Sequence, residues 1–189
     1  FLAMKSLHPE FKENGELNCK LIGRAVTAAY GPTRPDFYET TMAQAAAEGR
    51  TGTPNQWVIE YLTDRDVCVV DMYDKIYKGT FVGGNLTTAI KNKTHTGGAV
   101  IWGGIRDIEQ MQKVDGVQVY YRGIDPTPIR DFAMISFNGP VRLGDGEHAA
   151  ICLPGDVVYG CSGGVLFIPP HLVMEVVENG AKTQVKDIF

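Results

Sequence analysis

Short apolar runs bounded by glycine, proline and asparagine alternate with helix-spaced stretches in the first part of this chain, and strand-like runs dominate the remainder. Residues 21–30 (LIGRAVTAAY) read as a strand that Gly31-Pro32 punctuates. Residues 36–48 (DFYETTMAQAAAE) predict a helix, with Asp36 able to cap it and the alanines supplying propensity. After a Gly/Thr-rich break at residues 49–53, residues 54–62 predict a second short helix. Its proline sits in the first turn, and Trp57, Val58, Tyr61 and Leu62 mark one apolar face.

The most regular stretch comes next. Residues 67–70 (VCVV), ending at Asp71, predict a buried strand; residues 84–95 (GNLTTAIKNKTH) predict a helix behind Gly83-Gly84; residues 98–102 (GAVIW) predict the following strand. Strand, helix and strand in that order make a βαβ unit with a parallel pair. A second glycine pair, Gly103-Gly104, then leads into a predicted helix over residues 105–113, whose first turn would hold Arg106 and Asp107. Strand-like runs follow at 117–121, 133–137, 141–143, 149–153, 157–159 and 165–168. Turn residues such as Asn138-Gly139-Pro140 and Pro154-Gly155-Asp156 separate them, which argues for a β-rich second half. An amphipathic helix over residues 170–178, stopped by Asn179-Gly180, ends the pattern, and the expected class is α/β.

A length of 189 residues with 44% hydrophobic content suits one sizeable core, so residues 1–189 are expected to form a single domain. The termini, Phe1-Leu2-Ala3-Met4 and Lys186-Asp187-Ile188-Phe189, are neither charged nor capped like natural boundaries, and the expectation is a chain trimmed at both ends. The formal net charge of -4 comes from 22 acidic and 18 basic residues without a Lys/Arg block, which disfavours direct nucleic-acid binding. No apolar stretch approaches the roughly 20 residues of a membrane span, and no secretory pattern opens the chain, so a cytoplasmic protein is expected. Cys19, Cys68, Cys152 and Cys161 lack metal-ligand spacing, and reduced thiols packed as small hydrophobes are the simpler reading.

Chemistry concentrates at the two glycine pairs. Each predicted helix start would present unpaired N–H groups, a ready site for a carboxylate or phosphate. An anionic group against the amides of Gly84, Asn85 and Leu86 would be within reach of Arg106 from the neighbouring junction, and Arg106 could grip a carboxylate bidentately. Asp107 could hold a hard divalent cation, since one carboxylate with waters and substrate oxygens is a usual way of binding Mg²⁺. On spacing alone, a Gly-Gly turn is more often punctuation, and an Arg-Asp pair more often a solvated or helix-capping pair. His8, His95, His148 and His171 show no zinc pattern, and His95 reads as a helix C-terminal cap. Ser162 lacks a nucleophile elbow and reads as a turn residue; Asp71 reads as a loop-capping residue or a supporting group near the cleft.

Taken in order, Gly23-Arg24-Ala25-Val26-Thr27, Val69-Val70-Asp71, Gly83-Gly84-Asn85-Leu86 with Ala89, Gly103-Gly104-Ile105-Arg106-Asp107, Pro154-Gly155-Asp156-Val157-Val158 and Gly164-Val165-Leu166-Phe167-Ile168-Pro169 resemble a known family over most of the chain. It is that of the 4-hydroxy-4-methyl-2-oxoglutarate and 4-carboxy-4-hydroxy-2-oxoadipate aldolases, which also contains the regulator of ribonuclease activity A. The resemblance implies a β-rich layered α/β sandwich of the swivelling β/β/α kind. It further implies a homotrimeric ring, or a dimer of trimers making a hexamer, with active sites between neighbouring subunits. The implied activity is a lyase dependent on Mg²⁺ or Mn²⁺ that cleaves 4-hydroxy-2-oxo acids to pyruvate or decarboxylates oxaloacetate. By the same resemblance Arg106 binds the pyruvate carboxylate and carbonyl, Asp107 binds the metal, and the amides at Gly83, Gly84, Asn85 and Leu86 receive the carboxylate. An acidic side chain from the neighbouring subunit is also implied, for which Asp187 is the candidate.

One departure bears on the reaction. The aldolase signature places an aspartate ahead of its Arg-Asp pair with twenty residues between them, and this chain has Asn85 there. An amide can hold a water by hydrogen bonding but cannot take a proton as a carboxylate can. Decarboxylation, which starts without a base, would survive that change better than retro-aldol cleavage. The alternatives are a non-catalytic ring of the same fold acting as a regulator, and a metal-assisted hydro-lyase or hydrolase. No Gly-rich methyl-donor loop of the Rossmann type is present, which counts against methyl transfer.

Overall fold

The computed structural model describes residues 2–9, 20–95, 97–162 and 164–186. In chain order the strands and α-helices are β1 (Lys5–Ser6), β2 (Leu21–Pro32), α1 (Pro35–Ala47), α2 (Pro54–Tyr61), β3 (Asp66–Asp71), β4 (Thr80–Val82), α3 (Gly84–Thr94), β5 (Gly98–Ile105), α4 (Ile108–Gln112), β6 (Gln118–Ile124), β7 (Phe132–Phe137), β8 (Val141–Leu143), β9 (Ala150–Cys152), β10 (Val157–Cys161), β11 (Gly164–Ile168) and α5 (Val173–Lys186).

Among the described residues nine strands form one sheet in the order β1-β6-β5-β3-β2-β10-β11, with β4 added to β5 and β7 added to β2. The central strands β2, β3, β5 and β6 are parallel, with α3 in the crossover from β3 to β5, while β7 and β10 run antiparallel to β2. Leu2 exchanges backbone hydrogen bonds with Val165, so the segment leading into β1 reaches β11 and the sheet nearly closes on itself. The separate β8-β9 hairpin sends Val141, Leu143 and Cys152 into the interior.

Two apolar cores result. Leu21, Val67, Val69, Val100, Tyr120 and Val158 fill the inside of the curved sheet, while Cys68, Val70, Ile101 and Val119 face α2 and α3 on the outside, with Val58, Ile59 and Ile90 supplied by the helices. A strand buried on both faces has no polar alternation, which is why β3 reads as an unbroken VCVV run.

Several elements differ from their sequence expectation, each for a local reason. Strand β2 continues through Gly31-Pro32 because both pair with β7 at the sheet edge, where a missing N–H is tolerated. Arg34, not Asp36, is the N-cap residue of α1, and Pro35 opens the helix; Asp36 instead pairs with Arg34 at 2.8 Å. Helix α2 buries Val58 and Ile59, with Leu62 buried just beyond its end, while Tyr61 is exposed and meets the Phe137 ring edge-on. Helix α5 runs through Asn179-Gly180, a point where a glycine costs only about 1 kcal/mol relative to alanine and does not terminate a helix.

The largest difference concerns the second glycine pair. Gly103 and Gly104 lie inside β5, and the predicted helix over 105–113 is reduced to α4. They are glycines because residues 72–76 cross directly over them: a Cβ at Gly103 would sit 2.9 Å from the Lys75 carbonyl oxygen, and one at Gly104 would sit 3.0 Å from that of Ile76.

Candidate active site

Strand β4 pairs in parallel with the end of β5, matching Val82 with Ile105, so the two chains leave the sheet side by side. Gly83 follows one strand and Arg106-Asp107 follows the other, and the Arg106 amide donates to the Val82 carbonyl at 3.1 Å. Arg106 and Asp107 are therefore not in the first turn of a helix: Arg106 follows the end of β5 and Asp107 is the N-cap residue of α4.

The space above Gly83 is taken by both side chains. A Cβ at Gly83 would lie 3.0 Å from Arg106 Cγ and 3.1 Å from its Nε, and well inside contact distance of Asp107 Oδ2. Glycine is needed here for close approach, its φ of -135° being open to any residue. Arg106 Nε stands 3.5 Å from Asp107 Oδ2, with the arginine side chain 25% exposed and the aspartate 46% exposed. Arg106 Nη1 donates to both the carbonyl and the hydroxyl oxygen of Thr80, each at 3.3 Å.

Asp107 adopts φ 56° and ψ 40°, a left-handed conformation that is unfavourable for a residue with a Cβ but better tolerated by aspartate than by most. Its carbonyl accepts from the amides of Gln110 and Met111, both at 2.9 Å. Its carboxylate makes no capping hydrogen bond. The helix-capping reading of this aspartate is thus met by its backbone, and the carboxylate is left to Arg106 and to solvent.

On the α3 side, Gly83 has no side chain with which to cap, and the first-turn amides of Gly84, Asn85 and Leu86 receive no side-chain cap. Gly84 is buried beneath the Gln110 side chain, which a Cβ there would strike. Asn85 is exposed, and its Oδ1 accepts from Gln110 Nε2 at 3.4 Å; Leu86 is half-buried against the outer core. The proposed residues of the two segments are therefore brought together.

Beside the pair lies a recess of about 500 Å³ walled by Arg106, Asp107, Gln110, Lys113, Ile124 and Asp125 among others; residues 83–86 are not in its wall. The Asp125 carboxylate is committed to its own loop, accepting from the Thr127 amide at 2.9 Å and from the Thr127 hydroxyl. Thr80, Gln110 and Thr127 had no motif or spacing to announce them, and they reach the site only through the pairing of β4 with β5 and the loop after β6.

Among the described residues no three His, Cys, Asp or Glu side chains converge on a point where a metal ion could sit. Asp107 offers a single carboxylate, a donor set that fits a hard cation drawing its other oxygens from water and substrate, such as Mg²⁺ or Mn²⁺, and does not fit a closed zinc site. Asp187, the candidate from a neighbouring subunit, lies outside the described residues.

The other candidates stand apart. Asp71 accepts from the Tyr73 amide at 2.7 Å and lines a separate recess with Asp74, Trp102 and Arg142, so it caps a loop and does not support the Arg106-Asp107 pair. Burial pushes its carboxyl above the usual range, opposed by that amide and by Arg142. His95 is the C-cap residue of α3, and its ring Nδ1 is 3.0 Å from Asp64. Ser162 sits in the turn between β10 and β11. Cys68, Cys152 and Cys161 are free, and burial raises the thiols of Cys68 and Cys152, as expected of structural cysteines. No described helix is long and apolar enough to cross a membrane.

Comparison with known proteins bears on this arrangement. The family model for RraA-like proteins, described as aldolase/RraA, matches residues 2–167. No curated protein sequence is significantly similar to the chain. Among solved structures, the chain resembles Streptomyces coelicolor RraAS2, described as an unusual member of the RNase ES inhibitor RraA family, with 22% identity, a TM-score of 0.73, and coverage of 98% of this chain and 81% of that one. It also resembles the RNA-processing inhibitor RraA of Thermus thermophilus, with 19% identity, a TM-score of 0.59, and coverage of 88% and 81%. A structure described among novel cellulases from microbes of the gut ecosystem has 22% identity and a TM-score of 0.68, covering 89% of this chain and 68% of that one. At these identities the structural likenesses establish the fold, a mixed α/β architecture around a nearly closed sheet.

Proposed function

This chain belongs to the RraA-like family, which groups aldolases with RraA proteins, and on that premise we propose that it is a divalent-metal-dependent lyase acting on 2-oxo acids. The observation that carries the reading is the packing of Arg106 and Asp107 together over Gly83, both partly open to solvent. The Arg106 guanidinium takes the carboxylate and 2-oxo group of the substrate with its unanchored N–H groups, and its charge lies where an enolate oxygen develops. The amides of Gly84, Asn85 and Leu86 receive no side-chain cap and would take a carboxylate at the start of α3 once the Gln110 side chain over Gly84 moves aside. Mg²⁺ or Mn²⁺ held by Asp107 would supply a Lewis acid that polarises the 2-oxo group.

In the decarboxylation of oxaloacetate the bond to the departing carboxylate breaks, its electron pair passes into the enolate of pyruvate, and carbon dioxide leaves. A proton from water then completes pyruvate. No base starts this sequence, which suits Asn85 and its bond to Gln110. Retro-aldol cleavage must first remove the proton of the 4-hydroxyl, and Asn85 cannot accept it. Decarboxylation is therefore the favoured member of the pair. Assembly as a homotrimer, or a dimer of trimers, belongs to the same proposal and is supported by the exposed Met174, Val176 and Val177 on α5.

The test is a coupled pyruvate-release assay on oxaloacetate and 4-carboxy-4-hydroxy-2-oxoadipate with Mg²⁺, with chelator, and with Asp107→Ala. Metal-dependent release that disappears in the variant is expected. Absence of release from either substrate under all conditions would move the assignment to a metal-assisted hydro-lyase or hydrolase, the reading Asn85 motivates, or to a non-catalytic regulator of the same fold.

A further inference from the structure

We infer that Thr80 is the positioning residue that decides which edge of the Arg106 guanidinium faces the substrate. The functional consequence rests on the lyase reading above, while the geometry rests on hydrogen bonds alone.

Thr80 is fully buried at the start of β4. Its hydroxyl has one hydrogen, and that hydrogen is donated to the Thr127 carbonyl. Only lone pairs remain for Arg106, whose Nη1 is accepted by both the hydroxyl and the carbonyl of Thr80. Thr127 is itself held. Its hydroxyl donates to Asp125 and accepts from the Lys78 amide at 2.7 Å, and its amide donates to Asp125 at 2.9 Å. The circuit closes on the active strand, because the Asp125 amide donates to the carbonyl of Ile105, the residue before Arg106, at 3.1 Å.

The guanidinium is thereby divided. Nη1 is turned to the sheet, Nε is beside Asp107, and Nη2 has no protein hydrogen bond among the described residues. A planar fork with one corner anchored presents its remaining edge in one orientation, which is what bidentate recognition of a 2-oxo carboxylate requires. The Thr80 methyl fills a separate role, packing where a Cβ on Gly104 would come within 3.1 Å of it. The two functions of the side chain can thus be separated by substitution.

Thr80→Val keeps the shape and removes the hydroxyl; Thr80→Ser keeps the hydroxyl and removes the methyl. The first readout is the NMR signature of the Arg106 guanidinium, which does not depend on turnover: well-separated Nη1 and Nη2 proton signals in the wild type and Thr80→Ser, and a reduced separation with faster exchange in Thr80→Val, where only the backbone carbonyl still accepts from Nη1. The second is steady-state kinetics on oxaloacetate with Mg²⁺. Thr80→Val is expected to lower kcat/KM by about ten- to a hundredfold, the scale of a hydrogen bond to a charged group, with Thr80→Ser restoring most of it. Val165→Ala, which opens a cavity in the inner core, serves as the control for lost stability without lost orientation.

Wild-type guanidinium signals and kinetics in Thr80→Val, alongside lost turnover in Arg106→Ala, would overturn this inference and leave the lyase reading standing. Absence of metal-dependent turnover in the wild type would overturn the lyase reading, and the guanidinium spectra would then decide the positioning role by themselves.

Discussion

Gly83→Ala separates the fold from the site. The backbone at residue 83, with φ -135° and ψ -165°, accepts alanine without strain. Replacing a glycine N-cap by alanine costs up to about 1 kcal/mol in capping preference, and the stiffer unfolded chain returns about 0.4–1 kcal/mol of that. Net stability should therefore change by less than about 1 kcal/mol. The new methyl would meet Arg106 Cγ at 3.0 Å and Nε at 3.1 Å, and would overlap Asp107 Oδ2 outright. Carbon-to-oxygen contacts settle at about 3.3–3.6 Å, so the carboxylate has to retreat by about 1 Å and the guanidinium by a few tenths of an ångström. The groups that yield are two flexible side chains, and they are the two proposed to hold metal and substrate. A displacement of about 1 Å at a reacting centre costs on the order of a hundredfold in rate. Mn²⁺ titration and kcat/KM on oxaloacetate, run beside denaturant unfolding, measure both halves. Unchanged metal affinity and turnover would refute the placement of Asp107 and Arg106 over Gly83, and a loss of more than about 2 kcal/mol in stability would refute the argument about which groups give way.

Three further perturbations test other parts of the structure. Tyr30 has a buried hydroxyl with no hydrogen-bond partner among the described residues and a ring set edge-on to Phe81, so Tyr30→Phe should stabilise the protein by about 1 kcal/mol or more; a lower denaturation midpoint would reveal a partner for the hydroxyl. Burial lowers the pKa of His8 against an opposing pull from Asp115, so the unfolded chain, titrating near the ordinary 6.5, binds the proton more readily than the folded one. The stability His8 contributes is present above that value and is lost as pH falls through the lower folded pKa; His8→Gln should flatten the decline in denaturation midpoint between about pH 7 and pH 5, and an unaltered slope would refute the linkage. Asn85→Asp restores a group able to accept a proton within reach of Gln110, and should raise cleavage of 4-hydroxy-2-oxo acids relative to decarboxylation; an unchanged ratio would show that the base is supplied elsewhere.

The elements legible in the sequence are those whose causes are local. The VCVV run of β3 and the glycine turn before α3 carry their reasons within a few residues, and both lie where the pattern puts them. The glycine pair at 103–104 carries its reason elsewhere, in residues 72–76 that cross over β5. A glycine demanded by a distant backbone looks, in sequence, identical to one demanded by a turn, and the predicted helix start at residue 105 followed from that ambiguity. The face of α2 is illegible for a related reason: Tyr61 fits the helical spacing of an apolar face, yet its ring meets Phe137 at the surface and not the core.

The site divides along the same line. Arg106 and Asp107 were legible because they are adjacent and stand in a recognisable order with Gly83-Gly84, but adjacency cannot tell a catalytic pair from a helix cap. The structure separates the two roles within Asp107 itself: its carbonyl serves α4 and its carboxylate does not. Thr80 is invisible in sequence, because what gives it meaning is the register of β4 on β5, where Thr80 pairs with Gly104 and Val82 with Ile105 across a shift between them. That register delivers the Thr80 oxygens to Arg106 and the bare Gly83 to Asp107 in one step. A change that slipped β4 by one residue would reverse which side chains face the guanidinium while leaving the Arg-Asp motif intact. Chemistry at this site is thus specified by a strand pairing as much as by the residues that carry it.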